Sequence, residues 1–471
     1  MVTLQASASE RGALRIGSGA GFADDRIEPA VQLVESGDIQ YLVFECLAER
    51  SVALAELERR RDPARGYNPW LADRMTAVLP ECARRGIRVI TNMGAANPRA
   101  AGALVAELAR ARGLRGLSVA VVTGDDVLDR ILERPDLPLL EREGTVGSLG
   151  DRVVSAHAYL GCEGITHALS QGADVVITGR VADPSLYIAP LVHEFGWDTS
   201  DWDLIAKGAC AGHLMECGAQ VMGGYFADPG HKDVPGLADL GFPIAEVHPD
   251  GTFTISKLPG SGGLVTPATC TEQLLYEVHD PSAYPSADVV ADFSEVRLDE
   301  SGHDTVLVRG ARGRRRPDDL KVSVGYRDGF TGEGQISYAG PNALPRARLA
   351  LDVLRARIEK QGIASGAARY ELIGVDAVSR GIGPGTGSAC DLRPGLGTAG
   401  PDRLNEVRVR VAARTDTEDG ARRIAHEVSA MWLNGPAGGG GVVTSVTERI
   451  AIASVFLPRS DVTPSVTFAE V

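Results

Sequence analysis

The first half of the chain alternates between two hydrophobic rhythms. Short, nearly all-apolar runs at 14–18, 41–45, 88–92, 118–122 and 173–178 are separated by segments at 30–36, 71–85, 98–112, 164–171 and 186–195 with helical spacing of apolar positions. Apolar strands alternating with helices predict a parallel sheet covered on both faces. The expected fold class is therefore α/β, a layered parallel-sheet N-terminal domain over residues 1–275. Beyond it the rhythm changes. Residues 305–309, 321–326 and 334–338 read as short, partly alternating strands, followed by a helix at 343–361. Strands at 369–375 and 406–412, a helix at 418–432 and a strand at 447–454 complete the series. That order predicts a smaller α+β domain over residues 276–471, with helices on one face of a mainly antiparallel sheet. Within it, the turn Ser379-Arg380 leading into 381–387, and the glycines at 438–441, read as loops.

Composition narrows the chemistry. A chain of 471 residues with 44% hydrophobic content can bury a large core, and a net charge of -14 opposes a nucleic-acid partner. The dense basic run, Arg309, Arg312, Arg314, Arg315 and Arg316, reads as a solvated hairpin tip, with an anion site as the alternative. Seven scattered cysteines without a CxxC pair indicate neither a disulfide framework nor a zinc ribbon, and fit a reducing cytoplasm. Residues 1–12 lack a basic segment followed by an apolar core, and no apolar run approaches the ~20 residues of a spanning helix, so no membrane association is expected. A symmetric homo-oligomer is the default expectation for an assembly.

In open parallel sheets ligands lie at the carboxyl ends of the strands. That rule singles out the loops at 17–26, 45–49, 92–97, 123–126 and 179–183, each polar or glycine-bearing. The glycines at 17–21 depart from dinucleotide-binding spacing and read as a tight turn. Asp24, Asp25 and Arg26 suit either substrate positioning or helix-start electrostatics. Asn92 ends a strand, where its amide either meets a ligand or satisfies loop backbone, while Asn97 precedes Pro98 as a helix cap. Arg180 has the donors to hold a carboxylate or phosphate, or else pairs with Asp183. The stretch GHLMECGAQVMGGYF, beginning at Gly212, brings His213, Glu216 and Cys217 together. If helical, these three share one face as a compact acid/base or thiol-nucleophile set. The alternative is a buried small-residue helix holding a satisfied histidine. Too few ligands lie close in sequence to expect a metal, and no cofactor is expected.

Several of these stretches also occur in longer motifs: RIGSGAGFADDRIEPAVQLVESGDIQYLVFECLAE, ITNMGAANP, AYLGCEGITHALSQGADVVITGRVADPSLYIAPLVHEFGW, GHLMECGAQVMGGYF and GSGGLVTPATCTEQLLYEVHDPSAY. Together, and in this order, they resemble the acyclic terpene utilisation (AtuA) family, and the similarity runs through NGPAGGGG near the end. The resemblance implies a place among acyl-CoA enzymes of branched terpenoid breakdown and a hydratase or lyase role. Longer members carry a small C-terminal domain that this chain is expected to lack and that a small partner protein would supply. On this footing the leading expectation is a cytoplasmic lyase or hydratase for a carboxylated or CoA-linked branched substrate. His213 and Glu216 would move protons, Arg180 would hold an anionic group and Asn92 would orient a carbonyl. An acyl transferase or amide hydrolase with Cys217 as nucleophile, and a non-catalytic subunit of a complex, are the alternatives.

Overall fold

The apolar runs of the first half form the centre of one large sheet. In the computed structural model, which describes residues 12–363, 368–378 and 405–471, these strands are β1 (Leu14–Ala20), β2 (Tyr41–Phe44), β3 (Arg88–Thr91), β4 (Val119–Thr123) and β6 (Val175–Thr178), with β5 (Val153–Ala158) outside the sheet. The parallel order is β1-β2-β3-β6-β4. Between and after them run helices α1 (Glu28–Ser36), α2 (Glu49–Arg61), α3 (Leu71–Arg85), α4 (Pro98–Ala111), α5 (Leu128–Leu132), α6 (Glu163–Ser170), α7 (Ser185–Phe195) and α8 (Trp202–Glu216). The expected α/β class is what the chain adopts. Helix α3 stops where Gly86 takes φ 69°, and Asn97 caps α4 by accepting from the Ala100 N–H. Leu33 and Val34 of α1, Met75, Val78 and Leu79 of α3 and Val105 of α4 bury against Leu42 and Val89 of the sheet. Helices α7 and α8 pack on each other and on β1.

The sheet is wider than its parallel centre. Strands β7 (Pro243–Val247) and β8 (Phe253–Lys257) join it antiparallel beside β1. After helix α9 (Pro267–Leu275), strands β9 (Tyr284–Pro285) and β10 (Val290–Asp292) start a small separate sheet, while β11 (Arg297–Gly302) and β12 (Thr305–Arg309) extend the large one beyond β8. Strand β13 (Arg312–Arg314) returns to β10. By internal contacts one unit comprises the residues up to Tyr326 together with Ile452–Val471, and the second comprises Arg327–Ala451. The division thus falls some way beyond the expected boundary at 275, because β11 and β12 complete the first sheet.

The second unit is antiparallel, as its patterning implies. The runs at 321–326 and 334–338 belong to one strand, β14 (Asp319–Ala339). Its residues 322–326 pair with β5, and residues 330–339 pair with a strand of the second unit. After α10 (Ala343–Gln361) come β15 (Arg369–Ile373), β16 (Glu406–Thr415), α11 (Glu418–Asn434) and β17 (Gly439–Pro458). Both helices pack on β16, whose Val407, Val409 and Val411 alternate with Arg408 and Arg410. Arg410 pairs with Glu333 and Glu371. Gly439, Gly440 and Gly441, expected in a loop, open β17 instead. The turn at Ser379-Arg380 and the glycine-rich stretch 381–387 lie outside the described residues. A last strand, β18 (Ser465–Ala469), pairs antiparallel with β4 in the first unit. No helix among the described residues is long and apolar enough to cross a membrane.

Candidate functional site

The motif around His213 is built by the end of α8. Asp201 caps the helix start by accepting from the Leu204 N–H, and the helix runs to Glu216. It stops because Gly218 takes φ 53°, turning the chain into a short 3-10 segment. Gly212, beside His213, and Gly21, just after β1, are required by close backbone contact. A Cβ on Gly212 would lie 2.8 Å from Pro184 Cα, and one on Gly21 would lie 2.2 Å from the Cys217 carbonyl carbon. The end of β1, the end of α8 and the start of α7 are thereby drawn together.

His213 and Glu216 share a helix face as expected, whereas Cys217 lies just past the last helical residue. His213 Nδ1 is 2.9 Å from Glu216 Oε1, and its Nε2 is 3.2 Å from the Leu274 carbonyl. The ring lies against Tyr284 and Phe293. Both ring nitrogens are engaged in a buried setting. Glu216 Oε2 is different: it is buried and has no hydrogen-bond partner. Burial opposes charge on His213, but the Glu216 carboxylate raises the imidazole above its ordinary value. Burial likewise lifts the Glu216 carboxyl, against the pull of His213, to about 7. Each partner of this buried, hydrogen-bonded pair is thus raised above its ordinary value. Burial and the carboxyl of Glu216 push the Cys217 thiol up. That is the reverse of what a nucleophilic cysteine needs.

The loops after the strands supply the rest. Asn92 is buried with its amide spanning the loop after β2: Oδ1 accepts from the Cys46 N–H at 2.8 Å and Nδ2 donates to Glu45 Oε1 at 2.8 Å. Glu45 Oε1 also accepts from the Leu47 N–H at 2.9 Å. Burial and the charge of Asp183 raise the Glu45 carboxyl well above the carboxylate range. Arg180, 1% exposed, donates to the Leu47 and Val181 carbonyls, pairs with Asp183 and lies 4.5 Å from the centre of the Tyr159 ring. The pair with Asp183, one of the two alternatives for this arginine, is present in the structure. Arg180 is held charged, while burial outweighs it at half-buried Asp183 and raises that carboxyl. Tyr159 donates to Glu49 Oε1 at 2.5 Å, and although burial opposes it, this bond helps bring the Glu49 carboxyl down to about 2.

Asp25 serves its own loop. Its two oxygens accept from the Gly21 and Arg26 N–H groups, and burial raises its carboxyl. Arg26 donates to the Ala238 carbonyl, and Trp70 donates to Asp24. Arg74, fully buried, donates to Cys46 Sγ and the Asp25 carbonyl, at 2.7 Å each. The charge of Glu216 reaches Cys217 and Tyr284, that of Asp183 reaches Glu216, Glu45 and Tyr284, and that of Glu45 reaches Cys217. Glu45 was within reach of sequence reasoning, since it directly follows an apolar strand just as Asn92 does. Arg74, Tyr159 and Tyr284 carry no such mark.

Elsewhere, Cys162, Glu163 and Asp288 bring metal-type donors close together. Glu163 is met by Arg316 and Arg459, and Asp288 accepts from the Cys162 N–H and the Ser185 hydroxyl, so this is a satisfied ion-pair network. The basic run behaves similarly: Arg309 pairs with Asp299 and Arg315 with Asp318. Arg315, Arg316 and Arg459 also line a depression of about 670 Å³ whose other walls include Asp318 and Asp319. Among the described residues no disulfide is formed.

Fold and site together define an α/β protein that gathers buried carboxyl groups, a histidine and a thiol where the parallel strands end. The chain belongs to the family described as acyclic terpene utilisation family protein AtuA, which matches residues 14–468. No curated protein and no solved structure matches it.

Proposed function

We propose that this chain is a lyase or hydratase that moves the elements of water across a double bond of a branched, acyclic, terpenoid-like substrate, with Glu216 as the proton-accepting group. The observation that carries the reading is the asymmetry of the Glu216 carboxyl. Oε1 is tied to His213, and Oε2 is buried without a hydrogen-bond partner. A carboxyl lifted to about 7 takes and returns protons efficiently at physiological pH. His213, anchored on the Leu274 carbonyl, steadies the charge that Glu216 gains or loses. The family's description supports the substrate class. Carboxylated and CoA-linked branched compounds remain the natural forms to test, although their anionic end would need a partner other than Arg180, already engaged by Asp183 and two carbonyls.

The test is turnover of branched unsaturated acids and their CoA esters by the purified chain, wild type against Glu216→Gln. A loss of about 10²–10⁴-fold in kcat with the fold intact is the expected result. Undiminished turnover by the variant would remove Glu216 from the reaction. Absence of any turnover by the wild type, with activity restored by a small copurifying protein, would favour a subunit role instead.

A further inference from the structure

We propose that Arg74 is the receptor for the anionic end of the ligand, a free carboxylate bound at its guanidinium beside the loop at 21–26 that follows β1. The inference rests on the reading of a branched unsaturated acid as substrate, and names the end of that acid the protein holds. Arg74 and Arg180 are the two largest fully buried side chains among the described residues. Arg180 has Asp183 as its counter-charge. Arg74 is differently placed. Its Nη1 donates to Cys46 Sγ and its Nη2 to the Asp25 carbonyl, at 2.7 Å each, and its Nε is buried with no hydrogen-bond partner. Among the described residues no carboxylate forms an ion pair with it. The Asp25 carboxyl feels its charge but is turned to the Gly21 and Arg26 N–H groups. Burial pushes the Cys46 thiol up, so both atoms that Arg74 meets are neutral.

A guanidinium stays charged at every pH a folded protein meets, and a buried charge is costly unless it is paired. A neutral donor would serve a carbonyl and a thiol as well. The fold therefore gains nothing here from a full positive charge, whereas an incoming anion does. The free Nε–H and the Nη N–H beside it form one edge of the fork, which meets the two oxygens of a carboxylate side by side.

The position agrees with this role. Arg74 lies in the first turn of α3 and reaches the segments that follow β1 and β2, at the end of the sheet where ligands lie in open parallel folds. The loop it holds borders solvent: Phe22 is 56% exposed, and Trp70, which donates to Asp24, is 44% exposed. Within the same loop Gly21 abuts the Cys217 backbone, one residue past Glu216. A thioester offers a guanidinium only a neutral carbonyl, so the free acid is the form this arginine selects over the CoA ester.

The test is ligand-dependent melting of the whole chain at fixed ionic strength, with dimethylacrylic acid as the probe and its uncharged amide as the control. A ligand that binds only the native state raises the melting temperature. The wild type should be stabilised saturably by the acid and not by the amide. Arg74→Lys keeps the charge and loses the fork, and should bind the acid about tenfold more weakly or worse. Arg74→Met should show no stabilisation by the acid, and without ligand it should melt closer to wild type than Arg180→Met, because it strands no carboxylate. A wild type that ignores the acid, or that responds equally to the amide or the CoA ester, would overturn the proposal. So would an Arg74→Lys variant that binds the acid as tightly as wild type, or an Arg74→Met variant that is still stabilised by it. Glu216→Gln is run alongside, for binding and turnover. If it turns over normally while the Arg74 arms hold, the Glu216 reading fails and Arg74 stands. If it is inactive and the Arg74 arms fail, only Arg74 is removed.

Discussion

Arg180→Met separates a structural arginine from a ligand-holding one. Methionine keeps much of the apolar stem and removes a guanidinium that is 1% exposed and donates to the Leu47 and Val181 carbonyls and to Asp183. Breaking a buried ion pair by deleting one partner costs about 3–5 kcal/mol, and each buried carbonyl left unmet adds about 1–3 kcal/mol. Asp183 is half-buried, so water recovers part of the loss, and a net destabilisation of about 4 kcal/mol follows. At roughly 2 °C per kcal/mol for a unit of this size, the apparent midpoint should fall by about 8 °C. Thermal unfolding by circular dichroism gives the shift. A double-mutant cycle with Asp183→Asn should show a coupling of about 1–3 kcal/mol. A midpoint within about 1 °C of wild type, with the loss confined to ligand affinity, would refute the structural assignment and return Arg180 to anion binding.

Three further outcomes follow from the same geometry. Gly21→Ala places a Cβ 2.2 Å from the Cys217 backbone and 2.6 Å from Gly218 N. It should cost at least about 2 kcal/mol and lower turnover, while Gly440→Ala, with open space around it, should stay within about 0.5 kcal/mol, both by thermal unfolding. Because its thiol is pushed up, Cys217 should react with a disulfide reagent at pH 8 at least about tenfold more slowly than a free cysteine, and Cys217→Ser should retain turnover. Tyr159→Phe deletes the donor to Glu49, at a cost of about 1.5–3 kcal/mol near neutral pH. Glu49, depressed to about 2, stabilises above its unfolded value and loses that contribution as pH falls towards 2, so the variant's melting temperature should be less acid-sensitive.

How much was legible in the sequence depends on whether the determining contacts are local. Strands β3, β4 and β6 are continuous apolar runs, and α3 ends at a glycine in the left-handed conformation, so pattern alone located them. Helix α2 escaped because its ELERRR stretch dilutes the apolar face, and β7 and β8 because strands joined antiparallel, without a helix between them, lack the parallel-strand signature. The return of β18 to β4 is a pairing between distant segments that no local pattern encodes. At the site, residue types and the His213 to Glu216 spacing were readable. The commitments of Arg180 to Asp183, Asn92 to Glu45 and Asp25 to its own loop were not, because each depends on partners brought in by packing.

The most direct test of the site is the titration of Glu216 itself, followed by carboxyl 13C NMR in glutamate-labelled protein and assigned by loss of the signal in Glu216→Gln. A midpoint near 7, shifting when His213 is replaced by glutamine, is the expected result. A midpoint in the ordinary glutamate range near 4.5, unchanged by the His213 substitution, would contradict proton transfer by this pair.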